Sequence, residues 1–97
     1  MWRHGDVLIA ETGGVPQGAK RQPQLILAHG EVTGHSHRIE HPERAELWAF
    51  QGVLYLVVLA TTRVIHEEHH PITLNPGTYR VWQQREYTPE KIRIVRD

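Results

Sequence analysis

The sequence predicts an all-β fold, a small single-domain β-barrel or sandwich of about eight short strands. Three observations point there. Short apolar runs rich in β-branched and aromatic residues recur along the chain, as strands require. Turn chemistry such as Thr12-Gly13-Gly14, Gln51-Gly52 and Asn75-Pro76-Gly77 separates them at short intervals. No window of eleven residues carries the 3.6-residue apolar repeat of a core-facing helix. At 97 residues the chain supplies one hydrophobic core, so residues 1–97 are expected to form one domain.

The elements follow in order. Gly5 to Glu11, built around Val7, Leu8 and Ile9, reads as a first strand that ends at Thr12-Gly13-Gly14-Val15-Pro16. Residues 17 to 23 lack any apolar period and read as an exposed loop. Leu25 to Ala28 is a short apolar run, and Gly30 and Gly34 bracket a turn. Gly34 to Glu40 then alternates, with His35, His37 and Ile39 on one face and Ser36, Arg38 and Glu40 on the other. Leu47 to Phe50 and Val53 to Leu59 read as a hairpin about Gln51-Gly52. Val53 to Leu59 is apolar at every position, which predicts a central strand covered on both faces. Thr61 to His66 and Pro71 to Leu74 continue the pattern. Tyr79 to Tyr87 reads as a long strand with Tyr79, Val81, Gln83, Arg85 and Tyr87 facing inward, and Lys91 to Val95 as a last short one.

Composition excludes several classes. Eleven basic residues balance eleven acidic ones, so bulk charge does not support nucleic-acid binding. Cysteine is absent, which removes disulfides, thiolate metal sites and cysteine nucleophiles. The longest apolar run falls far short of the roughly 20 residues of a membrane-spanning helix. No signal-peptide pattern opens the chain, and a cytoplasmic location without membrane association is expected.

Histidine is the outlier: eight are present, where ordinary usage gives roughly two. His4 and His41 read as loop residues. His35 and His37, two apart on a strand, share a face and can aim both imidazoles at one ion. A second cluster, His66-Glu67-Glu68-His69-His70-Pro71, follows a strand about thirty residues later. It also spells the zinc-protease string H-E-x-x-H, but that string works only on a helix, and Val64-Ile65 enters here as a strand. A turn instead lets His66, with His69 or His70, complete a site with His35 and His37. The expected cofactor is one divalent transition metal, with zinc, iron, manganese, nickel and copper all suited to nitrogen ligands.

Gly34-His35-Ser36-His37, a nearby glutamate at Glu40 and the later Leu74-Asn75-Pro76-Gly77 resemble the two halves of the cupin signature, which implies a metal held in a small β-barrel. The departure is that Tyr79-Arg80-Val81 stands where the later cupin histidine belongs. Gly30 to His37, His66 to His69, Pro76 to Val81 and Gln84 to Tyr87 together are similar to small uncharacterised bacterial proteins, a resemblance that covers most of the chain and implies no activity.

Two functions fit these residues. In the first, His35, His37, His66 and His69 hold the metal, Glu67 or Glu68 is the general base, and Arg85 and Tyr87 orient a phosphoester or similar anionic substrate for hydrolysis. A metal-free variant uses two histidines as acid and base on a phosphodiester. In the second, the protein is a non-catalytic binding module whose histidines are structural or sense pH. Because Val53 to Leu59 needs cover on both faces, a homodimer or larger cyclic assembly is expected.

Overall fold

The computed structural model describes residues 1–30 and 34–84. Ten strands alternate with turns: β1 (Trp2–His4), β2 (Val7–Glu11), β3 (Lys20–Arg21), β4 (Ile26–His29), β5 (Ser36–Ile39), β6 (Ala45–Phe50), β7 (Val53–Val58), β8 (Thr62–Ile65), β9 (Ile72–Leu74) and β10 (Gly77–Gln83). One turn of 3₁₀ helix over Pro42–Arg44 is the helical exception among the described residues. None of these residues forms a helix long and apolar enough to cross a membrane.

The strands build two antiparallel sheets, one of six strands in the order β1-β2-β10-β7-β6-β3 and one of four in the order β4-β5-β8-β9. They close no barrel among the described residues. A single apolar cluster joins the two sheets: Ile9, Leu47, Leu56 and Val81 come from the first, and Leu27, Ile39, Val64 and Leu74 from the second. Alternation explains this directly, because a strand with one face on a core buries every second residue. On β10, Tyr79 and Val81 are buried and Arg80 is exposed, as the inward face read from sequence requires. The positions expected to continue that face, Arg85 and Tyr87, and the strand expected at Lys91 to Val95, lie outside the described residues.

The β6–β7 hairpin turns at Gln51 and Gly52, whose φ values of 51° and 80° are those of a primed two-residue turn. Three expectations need correction. The described residues form ten strands rather than about eight, because β1 and β3 are too short to carry a period. Residues 17–23 are not wholly loop, since Lys20 and Arg21 pair with Ala49 and Trp48. β7 is central but not covered on both faces: Leu56 and Val58 are buried, whereas Val53, Tyr55 and Val57 on the opposite face are only half-buried.

Two features set up one end of the molecule. The β1–β2 hairpin turns through Gly5 and Asp6, with Gly5 at φ 64°, as a two-residue turn with glycine first requires. Between Ile26 and Ala28 the β4–β5 register slips, so Leu27 is an extra residue opposite β5. Such a bulge bends its strand and re-aims the side chains beside it, here next to His37.

Candidate metal centre

At that end, strands from both sheets deliver histidines to one place. His37 lies on β5 with 3 % of its surface exposed. His66 is the first residue after β8, and His69 follows in the β8–β9 connection. No helix forms over residues 66–70, which removes the zinc-protease geometry. A local turn does: the backbone N–H of Glu68 donates to His66 Nδ1 at 3.0 Å. The connection therefore doubles back, and His69 rather than His70 reaches the cluster.

His37, His66 and His69 each offer a nitrogen within 4.8 Å of the other two, close enough to share one ion. His66 also belongs to a second grouping of the same tightness with His35 and Glu67. The ring centroids of His37 and His66 are 4.4 Å apart, and those of His66 and His69 4.7 Å. His37, within β5, and His35, just before it, thus fall in different groupings that have His66 in common. His35 approaches the Glu68 carboxylate at 3.6 Å.

The cluster opens into a cavity of about 300 Å³ whose wall includes Gly5, Asp6, His29, Gly30, Glu68 and Gln83. Two glycines bring the backbone close to the ligand rings, and Gly5, at φ 64°, is the one whose backbone also favours glycine. A Cβ at Gly5 would stand 2.8 Å from His69 Nε2, and one at Gly30 3.1 Å from His66 Nε2.

Electrostatics keep the central ring neutral. Burial lowers the pKa of His37 to about 4, and the neighbouring His66 and His4 push the same way while Asp6 opposes them. A neutral imidazole is the form that ligates a metal.

The carboxylates divide in an unexpected way. Glu67 accepts the Ser36 backbone N–H at 3.2 Å and is ion-paired with Arg38 at 3.1 Å. Hydrogen bonds from the backbone and from Arg38 hold its carboxyl below the usual carboxylate range. Asp6, unremarked in the sequence reading, instead faces the cavity. One of its oxygens accepts from Gln83 Nε2 at 2.6 Å, and the other stands 3.6 Å from His37 Nε2.

His4 was expected in a loop. It is no loop residue but the last of β1, 2 % exposed, with its Nδ1 2.8 Å from Nδ1 of His37. The signal was present: Gly5-Asp6 flanked by Trp2-Arg3-His4 and Val7-Leu8-Ile9 is a two-residue hairpin pattern. His41 remains in a loop, against Glu40 and Glu43. Arg85 and Tyr87 fall outside the described residues.

No curated protein and no solved structure matches the chain. A family model does, over residues 3–84, a span that holds His4, Asp6 and all four histidines predicted as ligands. The chain belongs to the family described as a domain of unknown function, DUF8820.

Proposed function

We propose that this protein is a histidine-ligated metal protein and that the bound ion activates water to hydrolyse a small phosphoester or related anionic substrate. The observation that carries the metal reading is the convergence of His37, His66 and His69 within 4.8 Å at the mouth of a cavity. Three imidazole nitrogens leave at least one coordination position free, which is the arrangement of a water-activating site rather than a closed structural one. Zinc, iron, manganese, nickel and copper all suit such a donor set. The cupin-like arrangement implied by the sequence is compatible with it, because the ligands lie at one end of the core between two sheets.

The ion would supply a nucleophilic hydroxide near neutral pH. The chain's own groups would do the rest. Asp6, oriented by Gln83, is placed to take a proton from a group bound beside His37. Glu67 is a weaker base because Ser36 and Arg38 already hold its oxygens; its place beside His35 and His66 suits support of the ligand loop. Arg85 and Tyr87 keep the substrate-orienting role proposed from sequence.

The competing reading is a binding module with structural or pH-sensing histidines. The low pKa of His37 weighs against a sensor near neutral pH, because that ring stays neutral until about pH 4. The deciding experiment is elemental analysis of untagged protein, followed by a panel of chromogenic phosphate esters with each metal in turn. Close to one ion per chain and metal-dependent turnover are expected. No uptake by titration removes the metal reading, and uptake with every ester inert removes the hydrolase.

A further inference from the structure

His4 and His37 are both buried, come from different sheets, and meet through their Nδ1 atoms at 2.8 Å. At that distance one ring must donate and the other accept. Only two arrangements of protons on neutral rings satisfy the bond. If His4 donates, its Nε2 is a bare lone pair buried with no hydrogen-bond partner, and His37 presents Nε2–H. If His37 donates, its Nε2 is a lone pair and His4 carries its proton on Nε2.

Surroundings of the pair choose between these. His37 Nδ1 is taken up by the His4 ring, so Nε2 is the nitrogen left to ligate an ion. A neutral ring that ligates through Nε2 carries its proton on Nδ1. That leaves His4 Nδ1 as the acceptor and makes His37 the donor. The His37 Nε2 lone pair is then free to ligate an ion, with the Asp6 carboxylate 3.6 Å away.

We propose that His4 is a positioning residue for the metal centre: by accepting the Nδ1 proton of His37 it fixes that ring in the tautomer whose Nε2 binds the ion. Ligating histidines characteristically donate their other ring N–H to such an outer partner, which orients the ring and raises its basicity. Here the partner is itself an imidazole, carried on the first strand of the chain. The inference rests on the metal reading above and adds a residue that touches neither the ion nor the substrate.

The test compares wild-type protein with His4→Phe, which keeps a ring but no acceptor, and His4→Asn, whose side-chain oxygen takes the place of Nδ1. Zinc affinity is measured in competition with a chromogenic chelator, circular dichroism of the metal-free proteins reports folding, and ¹⁵N spectra of the imidazoles report the tautomer. His4→Phe is expected to bind zinc about 10- to 100-fold more weakly while still folded. His4→Asn should recover most of the affinity, and zinc-loaded wild type should show His37 protonated at Nδ1 and metallated at Nε2. Undiminished binding by His4→Phe overturns the proposal, as does His4→Asn no better than His4→Phe, or His37 metallated through Nδ1. Should His4→Phe fail to fold, His4→Asn and the wild-type spectra still decide. Wild type that takes up no zinc removes the metal centre and this proposal together, an outcome distinct from zinc uptake that ignores His4.

Discussion

Gly5 and His69 are in contact: a Cβ on the glycine would lie 2.8 Å from His69 Nε2 and 3.0 Å from His37 Cε1. The β1–β2 turn is thus pressed against the ligand rings, at a residue whose φ of 64° already favours glycine. Gly5→Ala is expected to lower metal-free stability by at least about 1 kcal/mol through backbone strain, or roughly 4–8 °C in Tm for a domain of this size. The displaced rings should also weaken zinc binding. Calorimetry and a zinc titration on one preparation check both, and unchanged affinity would show that the turn does not shape the site.

His66 belongs to both ligand groupings, whereas His35 and His69 each belong to one. His66→Ala should therefore cost more zinc affinity than either His35→Ala or His69→Ala. Isothermal titration of the three variants ranks them. Equal losses would mean that a single symmetric set of ligands holds the ion.

The pH dependence of metal-free stability follows from His37. Its pKa in the fold is lowered to about 4 by burial and the neighbouring histidines, against about 6.5 when unfolded. Below pH 6.5 the unfolded chain binds a proton that the native ring refuses, so stability is full above that value and is lost as pH falls towards 4. His4, lowered chiefly by burial, adds in the same direction. The Tm of metal-free protein should fall between pH 7 and 5, with a shallower slope in His37→Phe where that variant folds. A flat profile in wild type contradicts the assignment.

On the outer face of the six-stranded sheet, Tyr55 stands between Trp48 of β6 and Arg80 of β10, with Val57 and Val53 beside it. These apolar side chains are half-buried. We expect a homodimer through this face, so light scattering at tens of micromolar should give twice the chain mass and Val57→Arg should halve it. A monomer mass for wild type rejects the assembly.

The all-β class, the Gln51-Gly52 hairpin and the inward face of β10 were legible because each is a local pattern of alternation or turn chemistry. That His37 lies near His66 and His69 accords with residue type and spacing, whereas the separation of His35 into a grouping with Glu67 was not legible there. The choice between barrel and sandwich was not legible either, since strand pairing such as β2 with β10 depends on contacts between distant residues. Nor was the pairing of Glu67 with Arg38, 29 positions apart, which changes what that carboxylate is free to do. His4 escaped because a three-residue strand has too few positions to show a period, and its partner lies 33 positions away.

The β2–β10 pairing bears on the order of folding. Arg3 Nη1 donates to Gln84 Oε1 at 2.7 Å across 81 positions of chain, so the hairpin that carries His4 and Asp6 finds its place only when β2 meets β10, the last described strand. Closing so long a loop is entropically expensive and slow compared with forming the local hairpins. An ion held by His37, His66 and His69 would therefore gain the support of His4 and Asp6 only when that sheet is complete, and metal added during refolding would be bound tightly in the last kinetic phase rather than in the first.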